Sequence, residues 1–255
     1  MKVSDNGAAL RAGNKNSLKT FSLIAAVSAL AAIVAGPSRI VAAEDDGVAL
    51  AIIYDTSGSM RELVPDSAGK SSPKYVIANR ALISIAKQVE TFANKNATTP
   101  RKIEAGLFIF EASGAREAIK FGPFEAAGFE NWANRFSNPN GNTPLGNALN
   151  AAGQAVLDSR LPHKHVLVIT DGINTAGPSP GSVLPKLKRQ AQEKQVSLSV
   201  HFVAFDVDAK VFDAVKRQGA TVVGAANENQ LNTQLQYILQ QKILLEEEEP
   251  PKKKE

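Results

Sequence analysis

The sequence predicts an α/β fold: a doubly wound, mostly parallel central sheet with helices on both faces and one short antiparallel edge strand. Three observations point there. Two apolar runs, Val48–Tyr54 and the one within His165–Thr170, have the character of strands buried on both faces. Between and after them, segments with helical spacing alternate with strand-like ones, the pattern of a sheet built from crossover units. The stretch that follows a leader-like N-terminus is about 212 residues long, which suits one domain with a sizeable core.

The N-terminus reads as an export signal. Lys2, Arg11, Lys15 and Lys19 precede an apolar segment, Phe21–Ala35, which is followed by Pro37 and the small-residue pattern Val41-Ala42-Ala43. This predicts a signal peptide over residues 1–43, cleavage after Ala43 and a periplasmic or secreted domain. The alternative is an uncleaved N-terminal membrane anchor, although the segment falls short of the ~20 apolar residues a span needs. Cysteine is absent, so disulfides and a lipoprotein anchor are both excluded. The formal net charge of +4 belongs to the leader. Taking its five basic and one acidic residues from totals of 29 and 25 leaves 24 of each, so charge gives no argument for nucleic acid. At the other end, residues 246–255 (Glu246-Glu247-Glu248-Glu249-Pro250-Pro251-Lys252-Lys253-Lys254-Glu255) hold no apolar residue and predict a solvated, disordered tail.

In between, each element has its own signal. After the first strand, Val76, Ile77, Ala81, Leu82, Ile85, Ala86 and Val89 predict a helix over 74–94, with Pro73 at its start. Ile103–Phe110 is strand-like, and Ala115–Phe121 pairs with it across Ser113-Gly114 as the antiparallel edge. Phe129–Phe136 suggests one or two helical turns. The Asn138–Asn142 cluster marks a turn, and Pro144 opens a helix running through Val156. His165–Thr170 is the second apolar strand. Val183–Lys194 is a helix and Val196–Phe205 a third strand. Asp208 caps a helix that ends at Gly219, Thr221–Val223 is the last strand, and Leu231–Leu245 is the closing helix. Phe92, Phe136, Phe212 and Tyr237 are expected in the core. His163 and His165 are expected at the surface or an edge rather than as ligands.

The chemistry concentrates where strands end. Asp55-Thr56-Ser57-Gly58-Ser59 directly follows the first apolar run, at the position where open α/β sheets bind ligands. Asp55, Ser57 and Ser59 are hard oxygen donors, suited to Mg²⁺, Mn²⁺ or Ca²⁺ rather than to zinc. Asp171 ends the second apolar strand and Thr143 sits at a helix start. Three loops at one sheet edge thus each offer oxygen, and none offers sulfur or imidazole.

These residues resemble the metal-ion-dependent adhesion site of von Willebrand factor A (VWA) domains, in the manner of bacterial exported members. The family's D-x-S-x-S matches Asp55, Ser57 and Ser59. Its threonine matches Thr143 in Gly141-Asn142-Thr143-Pro144-Leu145, and its second aspartate matches Asp171 in Thr170-Asp171-Gly172. The resemblance runs from Val48 to about Leu245 and assigns a VWA domain, Rossmann-like, to residues 44–245. It implies a non-enzymatic module in which Mg²⁺ (or Mn²⁺ or Ca²⁺) captures an Asp or Glu of a partner protein, with at least one aspartate acting through water. Hydroxyls complete coordination without cancelling charge, so the ion keeps its appetite for a further carboxylate.

Two other functions are weighed against this one. One is an assembly or scaffold factor of a periplasmic complex, with a mainly structural metal. The other is a phosphatase of the haloacid-dehalogenase kind with Asp55 as nucleophile. That chemistry needs an acid two residues on, where this chain has Ser57. The chain also lacks a Walker A loop and a G-x-G-x-x-G. Loops 61–72 and 173–182 flank the site and are expected to shape selectivity.

Overall fold

Strand β1, Gly47–Tyr54, is buried along its whole length because it lies mid-sheet with helices over both faces. The computed structural model describes residues 47–95, 101–112 and 114–244. The predicted export signal and charged tail lie outside them. The chain continues through a 3-10 turn (Gly58–Arg61), β2 (Leu63–Pro65), β3 (Ser71–Pro73), α1 (Lys74–Ala93), β4 (Lys102–Glu111) and β5 (Gly114–Pro123). There follow α2 (Ala126–Arg135), α3 (Leu145–Asp158), β6 (His163–Thr170), α4 (Pro180–Glu193), β7 (Leu198–Phe205), α5 (Asp213–Lys216), β8 (Thr221–Ala225) and α6 (Glu228–Ile238).

Among the described residues, six strands form one sheet in the order β5-β4-β1-β6-β7-β8, and within it only the β4–β5 pairing is antiparallel. This is the predicted fold class. The alternation along β1 sorts the core into two layers. Val48, Leu50, Ile52 and Tyr54 face α1, α2 and α6, whereas Ala49, Ala51 and Ile53 face α3, α4 and α5.

The alanine side lets α3 lie close, and glycines let α3 meet its other neighbours. A Cβ on Gly146 would stand 1.9 Å from the Pro178 carbonyl oxygen. α4 contains Pro185, which cannot donate to the carbonyl four residues back, that of Gly181. The Gln218 side-chain amide donates to that carbonyl instead, at 2.9 Å.

Several sequence expectations need correcting. His165 is fully buried, because β6 is an interior strand between β1 and β7, and its ring stacks on that of His201 with centroids 5.6 Å apart. His163, at the strand's start, is half-buried. Tyr237 is exposed: α6 buries Leu231, Leu235 and Ile238 on one stripe, and Tyr237 falls off it.

The closing helix starts three residues earlier than predicted, where the Asn227 side chain accepts from the Gln230 N–H. It then widens into a π-turn over Leu239–Ile243. α4 starts at Pro180, capped by Ser179. The helix expected after Asp208 is a 3-10 turn followed by the single turn of α5, with Gly219 at φ +84° beyond it. Most of loop 61–72 falls within the small antiparallel ribbon β2–β3, which spans residues 63–73 and leads directly into α1.

Candidate metal site

All five sequence-predicted positions lie at the carboxyl edge of the central strands. Asp55 extends β1 by one more ladder bond, its N–H donating to the Ile169 carbonyl at 3.0 Å. Its side chain is fully buried. Oδ1 accepts from the Ser57 N–H at 2.8 Å, which closes the loop into an Asx turn, and Oδ2 accepts from the Thr170 hydroxyl at 2.5 Å. The Ser57 and Ser59 hydroxyls stand 3.1 Å apart, and Ser59 donates to Asp171 Oδ1 at 2.8 Å.

Thr143 joins from the α3 side. Its Oγ1 and the Ser59 Oγ lie 3.6 and 3.9 Å from the point where a Cβ of Gly172 would be, so both hydroxyls border the same glycine. Asp55, Ser57, Thr143 and Asp171 are buried, and Ser59 is half-buried. The arrangement is a recessed cluster of two carboxylates and three hydroxyls.

Backbone bonds hold the three loops in register. The Asn140 N–H donates to the Thr56 carbonyl at 2.8 Å, and the Gly58 N–H donates to the Gly141 carbonyl at 3.2 Å. Gly141 has φ +84°, a backbone shape that glycine adopts without steric cost. Thr143 and Thr175 are joined twice: the Thr143 N–H donates to the Thr175 hydroxyl at 2.8 Å, and the Thr175 N–H returns to the Thr143 carbonyl at 3.0 Å. Asn174 caps the first turn of α3 by accepting from the Gly146 N–H at 3.0 Å. Part of the 173–182 loop therefore braces Thr143.

Sequence reasoning missed the charge beside the cluster. Lys74, the first residue of α1, is 2 % exposed. Its ammonium lies 3.1 Å from Asp171 Oδ2, 2.7 Å from Glu62 and 3.0 Å from Asp206. Burial works against that charge, but hydrogen bonds from the ammonium to Glu62 and Asp206, and the nearby Asp171, outweigh it and hold the lysine above its ordinary pKa. The signal was in the sequence: Lys74 lies on the apolar stripe of Ile77, Ala78 and Ala81, at a helix N-terminus that disfavours a cation. Thr170, noted only as context for Asp171, is the hydroxyl partner of Asp55.

The donor set fits a hard divalent ion. Asp55 is pushed up to about 6, first by burial and then by the neighbouring Asp171, against the downward pull of hydrogen bonds from Ser57 and Thr170. Two buried carboxylates that repel each other, ringed by neutral hydroxyls, are what a dication relieves. Beside the cluster opens a cleft of about 400 Å³, lined by Trp132, Phe136, Asn138, Asn140 and Arg116. Trp132 and Phe136 stack at 4.9 Å, and both meet Tyr54 edge-on.

Family models give no match to this chain. The curated proteins give none either. Solved structures do match. The PilB minor pilin from Streptococcus sanguinis superposes with a TM-score of 0.59 at 16 % identity, over 77 % of this chain and 61 % of the pilin. Proximal thread matrix protein 1 from the mussel byssus, with a zinc-occupied MIDAS motif, superposes at 0.55 and 15 % identity, over 76 % and 48 %. The vWF domain of the type V pilus tip protein Mfa5 from Porphyromonas gingivalis superposes at 0.54 and 11 % identity, over 77 % of this chain and 95 % of that domain.

The fold is that of a VWA domain. At these identities the likeness concerns the fold alone, and this chain spans about three fifths of the pilin and half of the thread protein. Within that fold, the residues at the carboxyl edge of β1 and β6 are Asp55, Ser57, Ser59 and Asp171, with Thr143 entering ahead of α3.

Proposed function

We propose that this chain is an exported, non-enzymatic protein-binding module. Asp55, Ser57, Ser59, Thr143 and Asp171 would hold Mg²⁺, or Mn²⁺ or Ca²⁺ in its place, and the ion would supply a Lewis-acid position for an Asp or Glu of a partner protein. One observation carries the reading: the hydrogen-bonded chain from Asp55 through Ser57 and Ser59 to Asp171, closed by the Thr143 hydroxyl beside Gly172. Only two carboxylates are present and hydroxyls add donors without adding charge, so the ion keeps its pull on a further carboxylate.

The surroundings favour docking of a macromolecule. The cluster is rimmed by exposed Asn138, Asn140 and Asn142 and by the aromatic-lined cleft, a mixed surface suited to peptide contacts beside the captured acid. The pilus, pilin and byssus proteins that share the fold make an adhesive role a natural one for an exported member. They also make export itself, by the leader over residues 1–43, part of this proposal.

The experiment is binding of the chain to an array of peptides carrying a central Asp or Glu, paired with Asn and Gln controls, in Mg²⁺ and in EDTA. Acid-dependent binding that needs Mg²⁺ and disappears in Asp55→Ala and Thr143→Ala is expected. Binding that survives EDTA, or survives in both variants, contradicts the mechanism.

A further inference from the structure

Lys74 is an unusual neighbour for a cation site. A buried ammonium at the N-terminus of α1 faces an unfavourable helix field as well as a desolvation cost. Three carboxylates from three different elements compensate it. Glu62 follows the 3-10 turn after the Asp55 loop, Asp171 directly follows β6 and Asp206 directly follows β7. Asp206 takes a left-handed backbone, φ +56°, and its N–H donates to the Ala225 carbonyl at 2.7 Å. The lysine therefore ties together three strand-end loops.

It also divides the two oxygens of Asp171. Oδ1 accepts from Ser59, on the hydroxyl side of the cluster, whereas Oδ2 is engaged by the ammonium.

We infer that Lys74 is a fixed internal cation that sets the charge of the metal site, holding Asp171 through Oδ2 and limiting how tightly the site retains a divalent ion. The inference rests on the metal reading of the preceding section and names what regulates that same site. Without Lys74, the negative charge of Asp55, Asp171 and Asp206 would act on the ion unopposed, as in a storage site. With it, Asp171 is partly neutralised and the ion stays exchangeable and short of negative ligands. Lys74 is a positioning residue in this account, since it acts on the ion only through Asp171 and through its own field.

The test is Mn²⁺ titration followed by the electron paramagnetic resonance signal of the free ion, on the wild-type chain, Lys74→Met, Lys74→Arg and Glu62→Gln. Lys74→Met should tighten Mn²⁺ by about tenfold, the effect of one nearby charge partly screened by water. Lys74→Arg, which keeps the charge, should stay within about twofold of wild type. Glu62→Gln removes compensation of the lysine from an exposed position and should weaken Mn²⁺ by about twofold to threefold. Opposite signs for Lys74→Met and Glu62→Gln are the signature of charge, because loss of a merely structural tie would weaken binding in both.

A folded Lys74→Met chain that binds Mn²⁺ no more tightly than wild type overturns the inference. If Lys74→Met shows no cooperative unfolding, Lys74→Gln takes its place with the same expected tightening, and Mn²⁺ binding no tighter than wild type there overturns the inference. A silent wild type with a binding Lys74→Met chain would sink the proposed capture function and uphold the role of Lys74. Silence in both removes the two together.

Discussion

Asp55→Asn should stabilise the metal-free protein at neutral pH, although it destroys the proposed site. The Asp55 carboxyl is fully buried and pushed up to about 6 in the folded chain, against an ordinary 3.8. A carboxyl whose folded pKa is raised binds its proton more tightly folded than unfolded. It therefore costs no stability below the unfolded pKa, and stability is lost as pH rises from about 3.8 to about 6. Two pH units at about 1.4 kcal/mol each make the full cost on the order of 3 kcal/mol by neutrality.

Asparagine removes the charge while its oxygen still accepts from the Ser57 N–H, and its amide can donate to the Thr170 hydroxyl, which must then turn. Allowing about 1 kcal/mol for that rearranged bond leaves a net gain of about 2 kcal/mol above pH 7. Urea unfolding in EDTA at pH 5 and pH 7.5 reads it: the gain should be small at pH 5 and reach its full size at pH 7.5. Adding Mg²⁺ should invert the ranking, since only the wild type gains by binding the ion. A variant less stable than wild type in EDTA at pH 7.5 would refute the charge reasoning.

Two further perturbations test the scaffold that positions the site. Gly146→Ala drives a methyl into the Pro178 carbonyl at the contact between α3 and the 173–179 loop, so a loss of about 2 kcal/mol or more is expected, read as a fall in Tm. Its Mg²⁺ stabilisation should shrink too, because that loop braces Thr143. Lys164→Met should cost about 2 kcal/mol and lower Tm by about 4 to 8 °C with no change in Mg²⁺ affinity. The buried Lys164 ammonium caps the end of α3 by donating to the Val156, Ser159 and Leu161 carbonyls at 2.8 to 3.0 Å. Burial, and then Lys194, holds its pKa below the ordinary lysine value, so part of the loss is offset by removing a desolvated charge.

The strand pattern was legible because β1 and β6 are interior strands, and being covered on both faces forces unbroken apolar runs. The donor residues were legible because Asp55, Ser57 and Ser59 sit within five residues of one another and directly after such a run. What escaped depends on distance in space. Lys74, Glu62 and Asp206 are separated by up to 144 positions, from 62 to 206, and meet only once the sheet is assembled. His165 was misread because its partner, His201, lies on the next strand, where β6 and β7 run side by side in parallel register. The start of α6 was hidden by polar residues: Asn227 caps it, and Glu228 is buried against Arg80 at 2.7 Å.

Whether a divalent ion sits among these five residues can be read from crystals grown with MnCl₂, through the anomalous scattering of manganese. A single strong peak is expected in the space bounded by Asp55, Ser57, Ser59, Thr143 and Asp171, abolished by Asp55→Ala. A map with no peak there at millimolar Mn²⁺, or with the ion bound by other residues, would contradict the proposed metal site.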